Sequence, residues 1–137
     1  IVHDLVQARA VLAVASQHNR PVLLRSPETT SAAIGPAIFV ETTKLARASY
    51  PEGFAGAIFD CGTEAGLAIA AIRYGDCHII VNTEPETTEK IKKLAKAMSI
   101  TALDKRALED REFAVLDLKD AKSISSTVED FLKNIDP

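Results

Sequence analysis

The run from Gly53 to Gly75, GFAGAIFDCGTEAGLAIAAIRYG, constrains the fold more than any other stretch of the chain. From Gly56 to Asp60 it is apolar without polar alternation, the pattern of a strand buried on both faces of a parallel sheet. Asp60-Cys61-Gly62 ends that run, and Thr63 offers a helix N-cap. Ala65, Ala68, Ile69 and Ile72 then recur at helical spacing. The sequence predicts a strand turning directly into a helix, with a carboxylate and a thiol at the turn. Ligands and catalysis gather at that end of the strands in open α/β sheets and in α/β barrels.

The same alternation extends to both sides. His3 to His18 reads as an amphipathic helix with Leu5, Ala8, Leu12 and Ala15 inside, stopped by Asn19 and Pro21. Val22 to Arg25 is a short strand closed by Ser26-Pro27, and Glu28 to Gly35 is a polar loop. Pro36 opens a helix that turns Ile38, Leu45 and Ala46 to the sheet and ends at Ser49-Tyr50-Pro51. Gly75 caps the central helix, and Cys77 to Asn82 is the next buried strand. Thr83 and Glu86 have capping-box spacing before a helix with Ile91, Leu94, Ala95 and Met98 inward. Ser99 to Leu103 and Phe113 to Leu118 are two further strands, separated by the charged stretch Asp104 to Glu112. A last helix carries the stripe Ile124, Val128, Phe131 and Ile135. A helix followed by repeated strand–helix units predicts a single α/β domain over residues 1–137, with a parallel sheet of about five strands and right-handed crossovers.

The bulk numbers agree with that reading. A chain of 137 residues, 47% hydrophobic and 26% charged, is an ordinary globule. It buries roughly two thirds of its unfolded surface without needing a disulfide or a metal. A net charge of -3 argues against nucleic acid or an anionic membrane as partner. No apolar run approaches the ~18 residues of a membrane span, and no secretory signal is visible. Cys61 and Cys77 read as lying at opposite ends of neighbouring strands, farther apart than the ~7 Å limit for a disulfide. They are expected as reduced thiols in a cytoplasmic protein.

The segment from His3 to Asn82 resembles the class II, zinc-dependent fructose- and tagatose-bisphosphate aldolases. HDLVQARAVLAVASQHNRPVLLRS is similar to that family's opening helix and strand, and SAAIGPAIFVETTKLARASYP to the helix that ends in a Tyr-Pro or His-Pro turn. GAIFDCGTEAGLAIAAIRYGDCHIIVN resembles the strand–turn–helix–strand that carries the family's Asp-His-Gly. The resemblance implies half of a (β/α)8 barrel, or the same units relaxed into an open, flavodoxin-like three-layer sandwich. It also implies that Asp60 stands at the catalytic acid/base position. Cys61 replaces the zinc-ligating histidine, and the phosphate loops of the family's second barrel half have no counterpart here.

Each candidate group has a chemical and a structural reading. Asp60 at the strand end suits proton transfer, or it caps the following backbone. Cys61 beside a helix N-terminus suits a nucleophile or a ligand, or it is a small buried hydrophobe. His3, Asp60 and Cys61 make three donors of the kind zinc accepts, or His3 is merely solvated. Ser26 with Thr29, Thr30 and Ser31 could cradle an anion, or they form a wet loop with Glu28 repelling one. Asn82 joins Ser26 and Asp60 on the same rim as a ligand-binding candidate for a small phosphorylated molecule. His18 and His78 fall on the opposite rim. Lys90 to Lys96 is a solvated helix face with Glu86–Lys90 and Glu89–Lys93 pairs.

The leading expectation is a non-catalytic aldolase-like domain serving binding or assembly, with no cofactor. The alternative is a small metal-dependent lyase using zinc, its site completed by oligomerisation. A half-barrel leaves strand edges uncovered, so a homodimer is the expected partner.

Overall fold

The computed structural model describes residues 1–28, 35–109 and 114–135. The first helix, α1 (Leu5–Gln17), starts where the Asp4 carboxylate accepts from the Gln7 backbone N–H at 2.8 Å. It buries Ala8, Val11, Leu12, Val14 and Ala15. Strand β1 (Val22–Arg25) is followed by α2 (Pro36–Ser49), which has proline in its first turn. A 3-10 turn at Pro51–Gly53 leads into β2 (Phe54–Asp60) and α3 (Ala65–Tyr74). β3 (His78–Val81), α4 (Pro85–Ala97), β4 (Ala102–Asp104), a short α5 (Lys105–Glu109) and α6 (Ile124–Lys133) complete the order.

The four strands form one parallel sheet in the order β1-β2-β3-β4. Leu24 lies opposite Ala57, Phe59 opposite Ile79, and Ile80 opposite Leu103. Helices α1 to α4 pack neighbour to neighbour in chain order, and α6 lies against α1. The core fills the space between this helix layer and the sheet. Phe59, Leu24, Ile79 and Val81 come from the strands, and Leu12, Val40, Ile72 and Ala95 from the helices. The Phe39 and Phe59 rings meet at 5.9 Å, tilted by 51°. Gly53 lets α1 approach its turn, since a Cβ there would sit 2.3 Å from the Leu12 carbonyl oxygen.

The sheet has four strands where the sequence pattern suggests about five. Of the expected last strand, Phe113 lies outside the described residues, and 114–118 is not a strand. That segment does not follow β4 across the sheet. It lies beside the first residues of the chain. The Ile1 nitrogen donates to Leu116 O at 2.5 Å, and Leu118 N–H donates to Ile1 O at 3.1 Å. Val2 N–H in turn donates to Arg25 O at 3.0 Å, at the free side of β1. These few bonds border the sheet without building a ladder. The strand order is strictly sequential, so these strands lack the reversal of order on which a flavodoxin-like sheet depends.

Several local expectations shift in phase. On α2 the buried face is Phe39, Val40, Thr43 and Ala46, while Ile38 and Leu45 are exposed. On α4, Ile91 and Ala95 are buried as expected but Leu94 and Met98 face out, because Thr88 occupies the inner stripe. Neither Thr63 nor Thr83 caps a helix. The N-cap positions are Glu64 and Glu84, without side-chain cap bonds, and Thr83 bonds the Thr88 hydroxyl at 2.8 Å. No helix among the described residues is long and apolar enough to cross a membrane.

Candidate functional site

Because the strands are parallel, their C-terminal ends share one rim. Hydrogen bonds continue the ladder past those ends. Ser26 N–H donates to Ile58 O at 3.0 Å, Cys61 N–H to Ile80 O at 2.8 Å, and Asn82 N–H to Gly62 O at 2.8 Å. The Asp60 N–H donates to the Ser26 hydroxyl oxygen at 2.8 Å. Ser26, Asp60, Cys61 and Asn82 are therefore brought to one place, on the turns after three adjacent strands.

Asp60 is fully buried. Its Oδ1 accepts from Gly62 N–H at 2.9 Å, and its Oδ2 accepts from Arg25 Nη2 at 3.0 Å. The carboxylate thus holds the turn into α3, where Gly62 takes φ 56, and neutralises a guanidinium from the neighbouring strand. Arg25 is the partner that sequence reading missed. A signal was present: Arg25 ends the strand paired with Asp60's strand, and a buried carboxylate needs a counter-charge. The remaining Arg25 Nε is buried without a hydrogen-bond partner, an arrangement that costs about 1–3 kcal/mol.

Cys61 turns away from the rim into the core. Burial, with a smaller push from the Asp60 charge, raises its thiol to about 12, and burial raises Cys77 to about 11. This runs opposite to the lowering that a helix N-terminus produces. Both cysteines are free. Iodoacetamide at pH 8 should therefore leave both unmodified in the native chain and alkylate both in urea, read by intact mass. Rapid native labelling of Cys61 would show a thiol open to the rim.

His3 meets a different partner. Its Nε2 lies 2.6 Å from Asp117 Oδ1. Burial pushes the Asp117 carboxyl up, but the His3 hydrogen bond and the Lys119 backbone N–H outweigh it and hold the group below the usual value. Among the described residues no group of three or more His, Cys, Asp or Glu side chains could hold a metal ion. Thr29, Thr30 and Ser31 lie outside the described residues. Glu28 pairs at 2.6 Å with Lys105 Nζ, a second rim cation, from the stretch Asp104 to Glu112 that the sequence marks only as charged. His18 approaches Glu129 at 3.8 Å, and His78 Nδ1 accepts from Thr101 N–H at 3.1 Å. The Glu86–Lys90 pair forms at 3.5 Å, while Glu89 pairs with Lys92 instead of Lys93.

Strand residues that alternate with the core positions face a separate space. Leu23, Ile58, Ile80 and Leu103 line a cavity of about 710 Å³, closed in part by Val115 and by Phe131 of α6.

No protein-family model matches the chain, and neither a curated protein nor a solved structure does.

Proposed function

We propose that the chain is a non-catalytic binding domain of aldolase-like, part-barrel form. The resemblance of His3 to Asn82 to the class II aldolases suggests the form, and the sequential parallel order of the strands supports it. The observation that carries the functional reading is the state of Asp60. The group at the acid/base position is buried, and its two oxygens are engaged by Gly62 N–H and by Arg25. A general base must reach its substrate's proton within hydrogen-bond distance. This carboxylate is spent on holding the turn and the neighbouring strand. The thiol beside it is inward and protonated at neutral pH.

The test is an aldol-cleavage assay on fructose and tagatose bisphosphates, with and without added zinc. No turnover above a heat-treated control is expected. Zinc-dependent cleavage that disappears in Asp60→Ala would overturn the reading and establish the lyase, with its site completed between chains.

A further inference from the structure

The cavity on the far side of the strands has a composition that points to its occupant. Among the described residues lining it, the walls are aliphatic or aromatic apart from Arg20, Arg25 and Lys105. Every charged side chain on the lining is a cation. The carboxylates that pair with two of them, Asp60 with Arg25 and Glu28 with Lys105, are not among the lining residues. The volume of about 710 Å³ lies in the range that holds a small organic ligand.

The cations divide between the two ends of the cavity. Arg20 precedes β1 and closes the lower end, donating to the carbonyls of Leu132 and Ile135 at the end of α6. Arg25 and Lys105 sit at the rim, Arg25 as the last residue of β1 and Lys105 as the first of α5, directly after β4. Between Pro21 and Arg25 the strand spans about 13 Å, and Leu23, Ile58, Ile80 and Leu103 face the space along it. Arg25 presents a buried Nε without a partner, while its Nη2 is tied to Asp60. A guanidinium with a donor to spare, above an apolar channel, matches a ligand with an anionic head and an apolar tail.

We infer that the cavity behind the sheet binds a medium-chain amphipathic anion of the fatty-carboxylate class, tail along Leu23, Ile58, Ile80 and Leu103 and head at Arg25. The inference rests on the binding-domain reading and names the ligand of that domain. Apolar burial supplies the attraction for the tail. Asp60 and Glu28 already balance the two cations at the mouth, so the head is selected by the unbonded Arg25 Nε–H, a charged donor that favours an anionic acceptor. Leu23 is 55% exposed and is covered when the tail enters.

The experiment is titration calorimetry of the full chain with dodecanoate below its micellar concentration, beside dodecyltrimethylammonium. One dodecanoate per chain is expected, bound about tenfold or more tightly than the cation, with a rise in melting temperature. Leu23→Glu places a negative charge on an already exposed wall position and should weaken dodecanoate by about tenfold or more. Leu103→Trp, which narrows the space from the β4 side, should also weaken it, and circular dichroism checks that both variants fold. Equal affinity for the two amphiphiles, no binding, or binding untouched by both variants would each overturn the inference. So would a dimer that Leu23→Glu dissociates, because a second copy would then fill the cavity. None of these outcomes bears on the aldol-cleavage assay, so the two readings fail separately.

Discussion

Replacing Arg25 by leucine should lower folding stability by about 3 kcal/mol, the low end of the range for breaking a buried ion pair. The low end applies because the arginine side chain is 22% exposed while that of Asp60 is 1% exposed. The loss comes from the carboxylate left behind more than from the bond removed. Asp60 is held in place by its backbone bonds to Ser26 and Gly62, so it cannot swing out to water. Removing the carboxylate charge as well should restore part of the loss, so Arg25→Leu combined with Asp60→Asn is expected to be more stable than Arg25→Leu alone. Lys44→Ala is the contrast. It removes an ion pair to Asp76 of the same 3.0 Å length, but between exposed groups, and should change stability very little. Urea unfolding of the three variants beside the parent chain measures all of this. A loss below about 1 kcal/mol for Arg25→Leu would place the pair in the surface class.

Phe59→Ala should cost about 3–5 kcal/mol. Phe59 is fully buried in β2, between the neighbouring strands and α2, and its ring stacks obliquely on Phe39. Truncation removes the transfer free energy of the ring and leaves a space that the flanking strands cannot close, because the ladder on both sides fixes their separation. The aromatic contact adds to the loss. Ile38→Ala, at a helix position 61% exposed, should leave the unfolding midpoint nearly unchanged. A Phe59→Ala variant within 1 kcal/mol of the parent chain would show that the helix layer collapses onto the sheet, and that the core is less tightly packed than these contacts imply.

The strands were the most legible part of the chain. β2 and β3 are nearly continuous apolar runs because one face meets the helix layer and the other lines the apolar cavity, and such runs stand out in any sequence. The helices were legible in extent but not in phase. On α2, Ile38 and Leu45 are the larger aliphatic residues, yet Phe39 and Val40 take the core, because the sheet presents Phe59 to that face. The last strand was misread for a different reason. Apolar content marks 114–118 as buried, but its neighbour is Ile1, at the other end of the sequence, and no local pattern encodes that. The candidate site was half legible. Ser26, Asp60, Cys61 and Asn82 do share a rim, since Asp60 ends a parallel strand and each of the others directly follows one. Their roles depend on where side chains turn. The turn at Gly62 fixes Asp60 toward Arg25, while strand alternation sends Cys61 inward. Arg25 and Lys105 went unnoticed because each acquires its carboxylate partner only across the fold.

The bond between Ile1 and Leu116 joins residues 115 positions apart, and this separation sets an order of assembly. Strands β1 to β4 each find a partner one crossover away, so the sheet can grow by closing short loops in succession. The border beside β1, and with it the seat of α6 on α1, has to wait for the longest loop in the fold. Closing it costs about 1 kcal/mol more in chain entropy than a crossover of 30 residues. A chain held before that step would carry its four strands and their helices but leave Val2, Leu118 and Val128 in water. Among the described residues, the seam between the first and last segments joins the parts of the chain farthest apart in sequence, the kind of contact that slows folding and, while unmade, leaves apolar surface open to association.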